Sequence, residues 1–278
     1  MSDTRPRLPD FTNPPVIEVA LSVQFEPLDA LRTLHLGLLW TEFRERFPRT
    51  EEHPPRPAVI EEFGVRRKPK MDVRVEVAVP VPQVRFLTDK GNEIIQVQQD
   101  RFVHNWRKVG AGDEYPRYES VKRRFEEELR AFRQFAARER LGELIPNQCE
   151  ITYVNHIISG EGWERHGELA KIVTVCSTHY SDTYLSEPEE VKFGIRYVIP
   201  ATDGKALGRL YITLDPGYRI SDDRPVCIMV LTARGRPDGE GIEGALRFLD
   251  VGREWIVRSF TSVTSPKMHE IWGRRNDS

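Results

Sequence analysis

The chain has 278 residues and a formal net charge of −2, with 41 Lys and Arg against 43 Asp and Glu. That length suits one large domain or two fused halves. The balanced charge gives neither half the basic body that a phosphate backbone attracts. Three widely spaced cysteines exclude a disulfide framework and a four-thiolate zinc site. No stretch reaches the roughly 18 apolar residues of a membrane span, and residues 1–10 lack the apolar centre of a secretion signal. A cytoplasmic protein that does not enter the membrane is expected.

Residues 1–13 are polar and aperiodic, and read as a loose lead-in to one unit over 14–278. Val16 to Glu26 then alternates, with Ile17, Val19, Leu21, Val23 and Phe25 on one side, which predicts a strand with one buried face. Asp29 can cap a helix from Ala30 to Phe47, ended by Pro48, with Leu36, Trp40, Phe43 and Phe47 on one stripe and Leu31, Leu34 and Leu38 beside it. This helix is expected to cover the first strand. Residues 48–72 carry five prolines and the basic run Arg66 to Lys70, and read as irregular. A hairpin follows, with arms Gln83–Leu87 and Glu93–Trp106 around Asp89-Lys90-Gly91-Asn92. Tyr118 to Arg140 predicts a helix whose inner stripe is Val121, Phe125, Leu129, Phe132 and Ala136.

The second half opens with a strand over Cys149–Ile158. Glu168 to Tyr184 is ambiguous between helix and strand. Strands are expected near 191–199, 208–214 and 226–233, followed by a helix from Ile242 to Val263 and a short one opened by Ser265-Pro266. Helices interspersed with hairpins lack the rhythm of βαβ units. The fold class is therefore α+β, an antiparallel sheet backed by helices mainly on one face. The element order suggests two related strand-helix-hairpin halves, 14–141 and 142–278, with no sequence repeat between them.

Several segments together resemble an uncharacterised, sporadically distributed family of bacterial proteins of similar length. They are Asn13 to Val19, the helix around His35, Trp40, Phe47 and Pro48, Val97 to Phe102, Asn105-Trp106-Arg107 and Tyr115-Pro116-Arg117-Tyr118. Tyr153 to Ile157 and the ending around Phe260, Thr264 and Trp272-Gly273 complete the set. The resemblance implies one full-length unit rather than separable modules. It implies no activity, cofactor or catalytic residue.

Glu93 to Lys108, read as one strand, places Gln96, Gln98, Asp100, Phe102, His104 and Trp106 on a single face. A face mixing amides, an imidazole and aromatics can hold a planar or polar ligand by stacking and hydrogen bonding. Gln96, Gln98, His104 and Trp106 are thus the candidate ligand-binding residues, expected to share one concavity with Tyr153 or His156 at its edge. The plainer reading is a long strand projecting past the core, with a bulge that swaps its faces. His156, His166, Cys176 and His179 lie close in sequence but fit no zinc spacing. Asp182 with Glu190-Val191-Lys192 has the acid and Glu-x-Lys order of metal-dependent nucleases, a short pattern that arises often by chance. The run Arg66 to Lys70 lacks interleaved aromatics and reads as a solvated loop. Glycines at 235, 239, 241 and 244 match no nucleotide motif.

The residues point to a non-enzymatic binding protein that recognises a ligand or a protein partner, the product of a neighbouring gene being one candidate. The alternatives are a metal-dependent hydrolase or nuclease, and a nucleic-acid-binding regulator. No catalytic residue, metal or cofactor is expected, and the charge weighs against a nucleic-acid partner.

Overall fold

A computed structural model describes residues 7–64, 80–176 and 184–275. In chain order the elements are β1 (Asp10–Phe11), β2 (Val16–Phe25), α1 (Thr33–Phe43), β3 (Arg49–His53), β4 (Gln83–Leu87), β5 (Glu93–Gln98), β6 (Arg101–Arg107) and α2 (Tyr118–Arg138). Then come β7 (Pro146–Ile158), a short 3-10 helix (His166–Lys171), β8 (Phe193–Pro200), β9 (Ala206–Tyr218) and β10 (Pro225–Gly235). The chain closes with α3 (Gly241–Val263), α4 (Pro266–Ile271) and β11 (Arg274–Arg275). Among the described residues no helix is long and apolar enough to cross a membrane.

Nine strands form one antiparallel sheet in the order β3-β4-β5-β6-β2-β7-β10-β9-β8. About the β2–β7 pair the order matches for three strands on each side, β6-β5-β4 against β10-β9-β8, with β3 an additional edge strand beside β4. On each side the opening strand pairs with the last strand of a meander that comes later in its own half, and each meander leads into a long helix. The two sides share a strand, meander and long-helix order, and the fold is α+β with helices backing an antiparallel sheet.

Period-2 alternation sets the helix-covered face. Val19, Leu21, Val23 and Phe25 of β2 are fully buried. Their cover is α2, not α1: Phe132 packs on Phe25 at 5.9 Å and stacks on Phe102 of β6 at 5.4 Å. Helix α1 lies further out, with Phe43 against Phe86 of β4 at 6.2 Å. It is also shorter than its pattern suggested. It begins after Arg32, whose N–H donates to His35 Nδ1 at 3.0 Å, so Asp29 caps nothing. Leu34 and Leu38, expected beside the buried stripe, point to solvent.

Helix α3 covers β7, β10 and β9 by close approach. Gly208 and Gly235 sit opposite each other in the sheet, and a Cβ on Gly208 would lie 2.9 Å from the Phe248 ring. A Cβ on Gly252 of α3 would lie 2.6 Å from Ile151. Helix α4 has the cap expected of Ser265, whose Oγ accepts from the Met268 N–H at 3.3 Å.

Three further expectations are corrected. Arg49–His53, inside the stretch read as irregular, is the edge strand β3; it has no apolar alternation to mark it. Residues 10 and 11, inside the lead-in read as loose, pair with β11, and Phe11 is buried against Phe260 at 5.6 Å. The long strand from Glu93 is two strands, because Gln99 and Asp100 form a two-residue turn that sets Gln98 opposite Arg101.

The other face of the sheet carries no helix among the described residues. Residues 54–64 cross it as an extended strap, with hydrogen bonds to Gln98 of β5, Gln24 of β2 and Gln148 of β7.

Candidate functional site

The turn at Gln99-Asp100 decides the fate of the candidate residues. It puts even-numbered positions of β5 on the same face as odd-numbered positions of β6. Gln96 and Gln98 therefore lie on the strap side, while His104 and Trp106 lie under the helices. The four do not share a concavity. His104 is sealed beneath α2, with Nδ1 2.6 Å from Glu128 Oε2. Trp106 is buried against the Tyr115 ring at 5.6 Å. Gln96 donates to Asn105 at 2.6 Å, and Asn105 to Glu18 at 2.6 Å. His156 is half-buried on the strap side of β7, and burial lowers its pKa.

Tyr153 alone of the six reaches a cleft. It lies on the helix side of β7, where the sheet, the start of α2, α3 and the β1–β11 pair meet. The space is about 340 Å3. Val16, Leu231, Ile256, Val257 and Phe260 supply apolar wall; Tyr115, Tyr118, Tyr153, Asn155, Arg117 and Arg253 supply polar groups.

Each of these side chains has a polar partner, although the Arg253 Nε itself is buried without one. The hydroxyls of Tyr115 and Tyr153 are 3.0 Å apart. One proton bridges such a pair, so the other O–H is left to donate to a third acceptor. Tyr118 donates to Asp250 at 2.9 Å, and Lys122 holds the same carboxylate at 2.7 Å. Arg253 lies over the Tyr118 ring at 4.7 Å and pairs with Glu119 at 3.0 Å. Asn155 donates to the Met229 carbonyl at 3.2 Å.

Arg117 sets the shape of the rim. Its backbone, at φ 67° and ψ 155°, occupies a region that side-chain-bearing residues rarely adopt, at a cost of order 1–3 kcal/mol. The side chain compensates by donating to Asp10 and to the Phe11 carbonyl, both at 3.0 Å. Arg275 reaches Asp10 at 3.1 Å from the other side. Strands β1 and β11 are thereby clasped at the rim of the cleft.

Burial raises the pKa of all three phenols. Tyr153 is pushed up to about 12, against a lowering contribution from its bonds to Tyr115 and Arg253. Tyr115 and Tyr118 are also raised, burial again being the main cause. All three stay protonated at neutral pH and act as O–H donors. The arrangement can stack on an aromatic or aliphatic body and donate hydrogen bonds to its acceptors. The shifts of the three phenols run away from proton abstraction.

The other constellations do not assemble in the described residues. Lys192 pairs with Asp215 and Glu190 is exposed, while Asp182 lies outside the described residues. His179 and the run Arg66 to Lys70 also lie outside them. Among the described residues no group of three or more His, Cys, Asp and Glu is placed to hold a metal ion.

Asn155 stands beside Tyr153 and His156 among the neighbours the sequence suggests for the candidate face, whereas Tyr115, Tyr118 and Arg253 are not singled out as site residues by the sequence. Tyr115-Pro116-Arg117-Tyr118 is a compact signal at a helix start, but nothing in it announces that β7 and α3 converge there. Comparison with protein-family models, curated proteins and solved structures finds no match to this chain.

Proposed function

We propose that this is a non-enzymatic binding protein that takes a small, largely apolar molecule with a hydrogen-bond acceptor into the tyrosine cleft. The observation that carries the reading is the Tyr115–Tyr153 pair, which keeps one O–H free for a ligand acceptor, in the wall of a mixed apolar and polar space of about 340 Å3. Ligand pockets are mostly apolar with a few placed polar groups, and phenols that stay protonated suit holding an acceptor better than removing a proton. The backbone strain at Arg117 is consistent with a functional rim. The sporadic bacterial family remains the assignment we favour from the sequence segments. Of those segments, Val16, Tyr115, Arg117, Tyr118, Tyr153, Asn155 and Phe260 line the cleft.

The test is a titration with aryl carboxylic acids and aryl ketones, read by thermal shift and by Trp106 fluorescence. Saturable binding is expected, and Val257→Trp, which fills the cleft from α3, should abolish it. The reading fails if no member of the panel binds saturably, or if binding survives Val257→Trp in a folded protein.

A further inference from the structure

The strap over the other face is built like a lid on a second site. Gln98 pairs both atoms of its amide with the backbone of Arg56: its Oε1 accepts from the N–H at 3.1 Å and its Nε2 donates to the carbonyl at 2.9 Å. Gln24 accepts from Val59 N–H and Gln148 from Glu61 N–H, both at 3.1 Å. The far end is anchored by the Glu61 carboxylate, which takes Arg209, Arg234 and the Tyr211 hydroxyl. Phe63 lies beneath the Arg209 guanidinium at 4.3 Å. The outward side of the strap, including Val59 and Ile60, is exposed. Its attachment is thus almost wholly polar, of a kind that water can replace.

Beneath the strap is a chamber of about 280 Å3, lined by Ser22, Gln24, Arg101, Gln148, Glu150 and Arg234 together with the strap itself. Two observations show what it lacks. The Gln148 Nε2 is buried and has no hydrogen-bond partner, although the residue is only 4% exposed. A buried donor left unpaired costs about 1–3 kcal/mol, so it marks a missing acceptor. The charge is also unbalanced. Glu61 and Glu150 are taken up by Arg209 and Arg234, whereas Arg101 donates only to neutral oxygens, at 2.7 Å to Gln24 and 3.1 Å to the Pro57 carbonyl. Burial lowers the Arg101 pKa; Asp100 and Glu150 oppose this, while Arg56 and Arg234 add to it.

We infer that this chamber binds a small organic or inorganic oxyanion, with Arg101 and Gln148 Nε2 as its donors and residues 56–61 closing over it. An oxyanion supplies the acceptor that Gln148 lacks and the negative charge that Arg101 lacks, and a guanidinium fork presents further N–H donors to it. The site is separate from the tyrosine cleft, on the opposite face of the sheet, and stands or falls without it.

The probes are inorganic phosphate and succinate, titrated calorimetrically against the whole chain, with sodium chloride at matched ionic strength as the blank. Hydrogen exchange at the Val59 and Glu61 amides is followed in parallel. The expected result is saturable heat with at least one probe, slower exchange at those two amides, and affinity weakened about tenfold in both Gln148→Met and Arg101→Met. Phosphate alone or succinate alone distinguishes an inorganic from a carboxylate source. The inference is overturned if neither probe gives saturable heat, if the strap amides are not protected, or if affinity is unchanged in either folded variant. Thermal melting establishes that the variants fold, and the exchange measurement on the unaltered chain decides without them.

Discussion

Beneath α2 the first half of the sheet buries charge, and beneath α3 the second half buries glycine. Glu128 projects from α2 onto His104 and Arg46, and Arg46 and Arg124 both reach Glu93 on β5. On the other side of the β2–β7 seam, Gly208, Gly235 and Gly252 let α3 and its Phe248 ring settle directly on the strands. The topology is shared but the means of joining helix to sheet is not. An ionic network needs charged residues on α2, β5, β6 and the turn after α1. Close approach needs small residues on α3, β9 and β10. Two halves built on such different requirements retain no common residue pattern, which is why the symmetry shows in strand order and not as a sequence repeat.

The comparison breaks most sharply at Glu128. Glu128→Ala leaves buried His104 without its carboxylate partner and takes one of two carboxylates from the partly exposed Arg46, and should cost about 3 kcal/mol in urea unfolding. The paired change Glu128→Met with His104→Leu should recover much of that loss, because an apolar pair of similar volume needs no counter-charge. If the single and double changes cost the same, the network is not what joins α2 to the sheet. Next in size is Gly252→Val, which drives a branched side chain into Ile151 and should cost about 1–3 kcal/mol; an unchanged melting temperature would show that α3 can slide away freely. Tyr118→Phe removes the bond to Asp250 that ties α2 to α3 across the seam, and should cost about 1 kcal/mol by the same unfolding assay.

The smallest effect is at the periphery of the second half. Glu168 accepts from the Glu164 N–H and from Lys171, both at 2.7 Å, and these bonds, led by Lys171, hold its pKa down to about 2 against an ordinary 4.5. A depressed carboxylate stabilises the fold above its unfolded pKa and loses that contribution as pH falls from 4.5 towards 2. The group is near the surface, so the loss should stay below about 1 kcal/mol. Glu168→Gln should flatten stability over this pH window; an equally steep profile in the variant would assign the acid sensitivity elsewhere.

What could be read from the residues followed the strength of local periodicity. Strands β2 and β7 alternate cleanly, and α2 and α3 carry long apolar stripes, so all four were legible. The turn at Gln99-Asp100 was not. Neither residue takes a positive φ, so no glycine was needed and none marked it. That one omission reversed the face of His104 and Trp106 relative to Gln96 and Gln98. Strand β3 and the strap escaped for a related reason: both are held by polar groups of distant segments, and Gln24, Gln98 and Gln148 carry no sign of a common task until the strands align. Tyr153 was legible as a candidate, but its partners Tyr115 and Arg253 come from separate helical regions, and only packing joins them.

The short ladder between β1 and β11 has a temporal consequence. Asp10 and Phe11 are made long before Arg275, yet Asp10, Phe11 and Arg275 all stand in the wall of the tyrosine cleft. During synthesis the N-terminal wall must wait, unpaired, while more than two hundred and fifty residues of sheet and helix are laid down between them. A ribosome that stops short of Arg274 therefore releases a chain whose sheet can be complete but whose cleft is still open on one side.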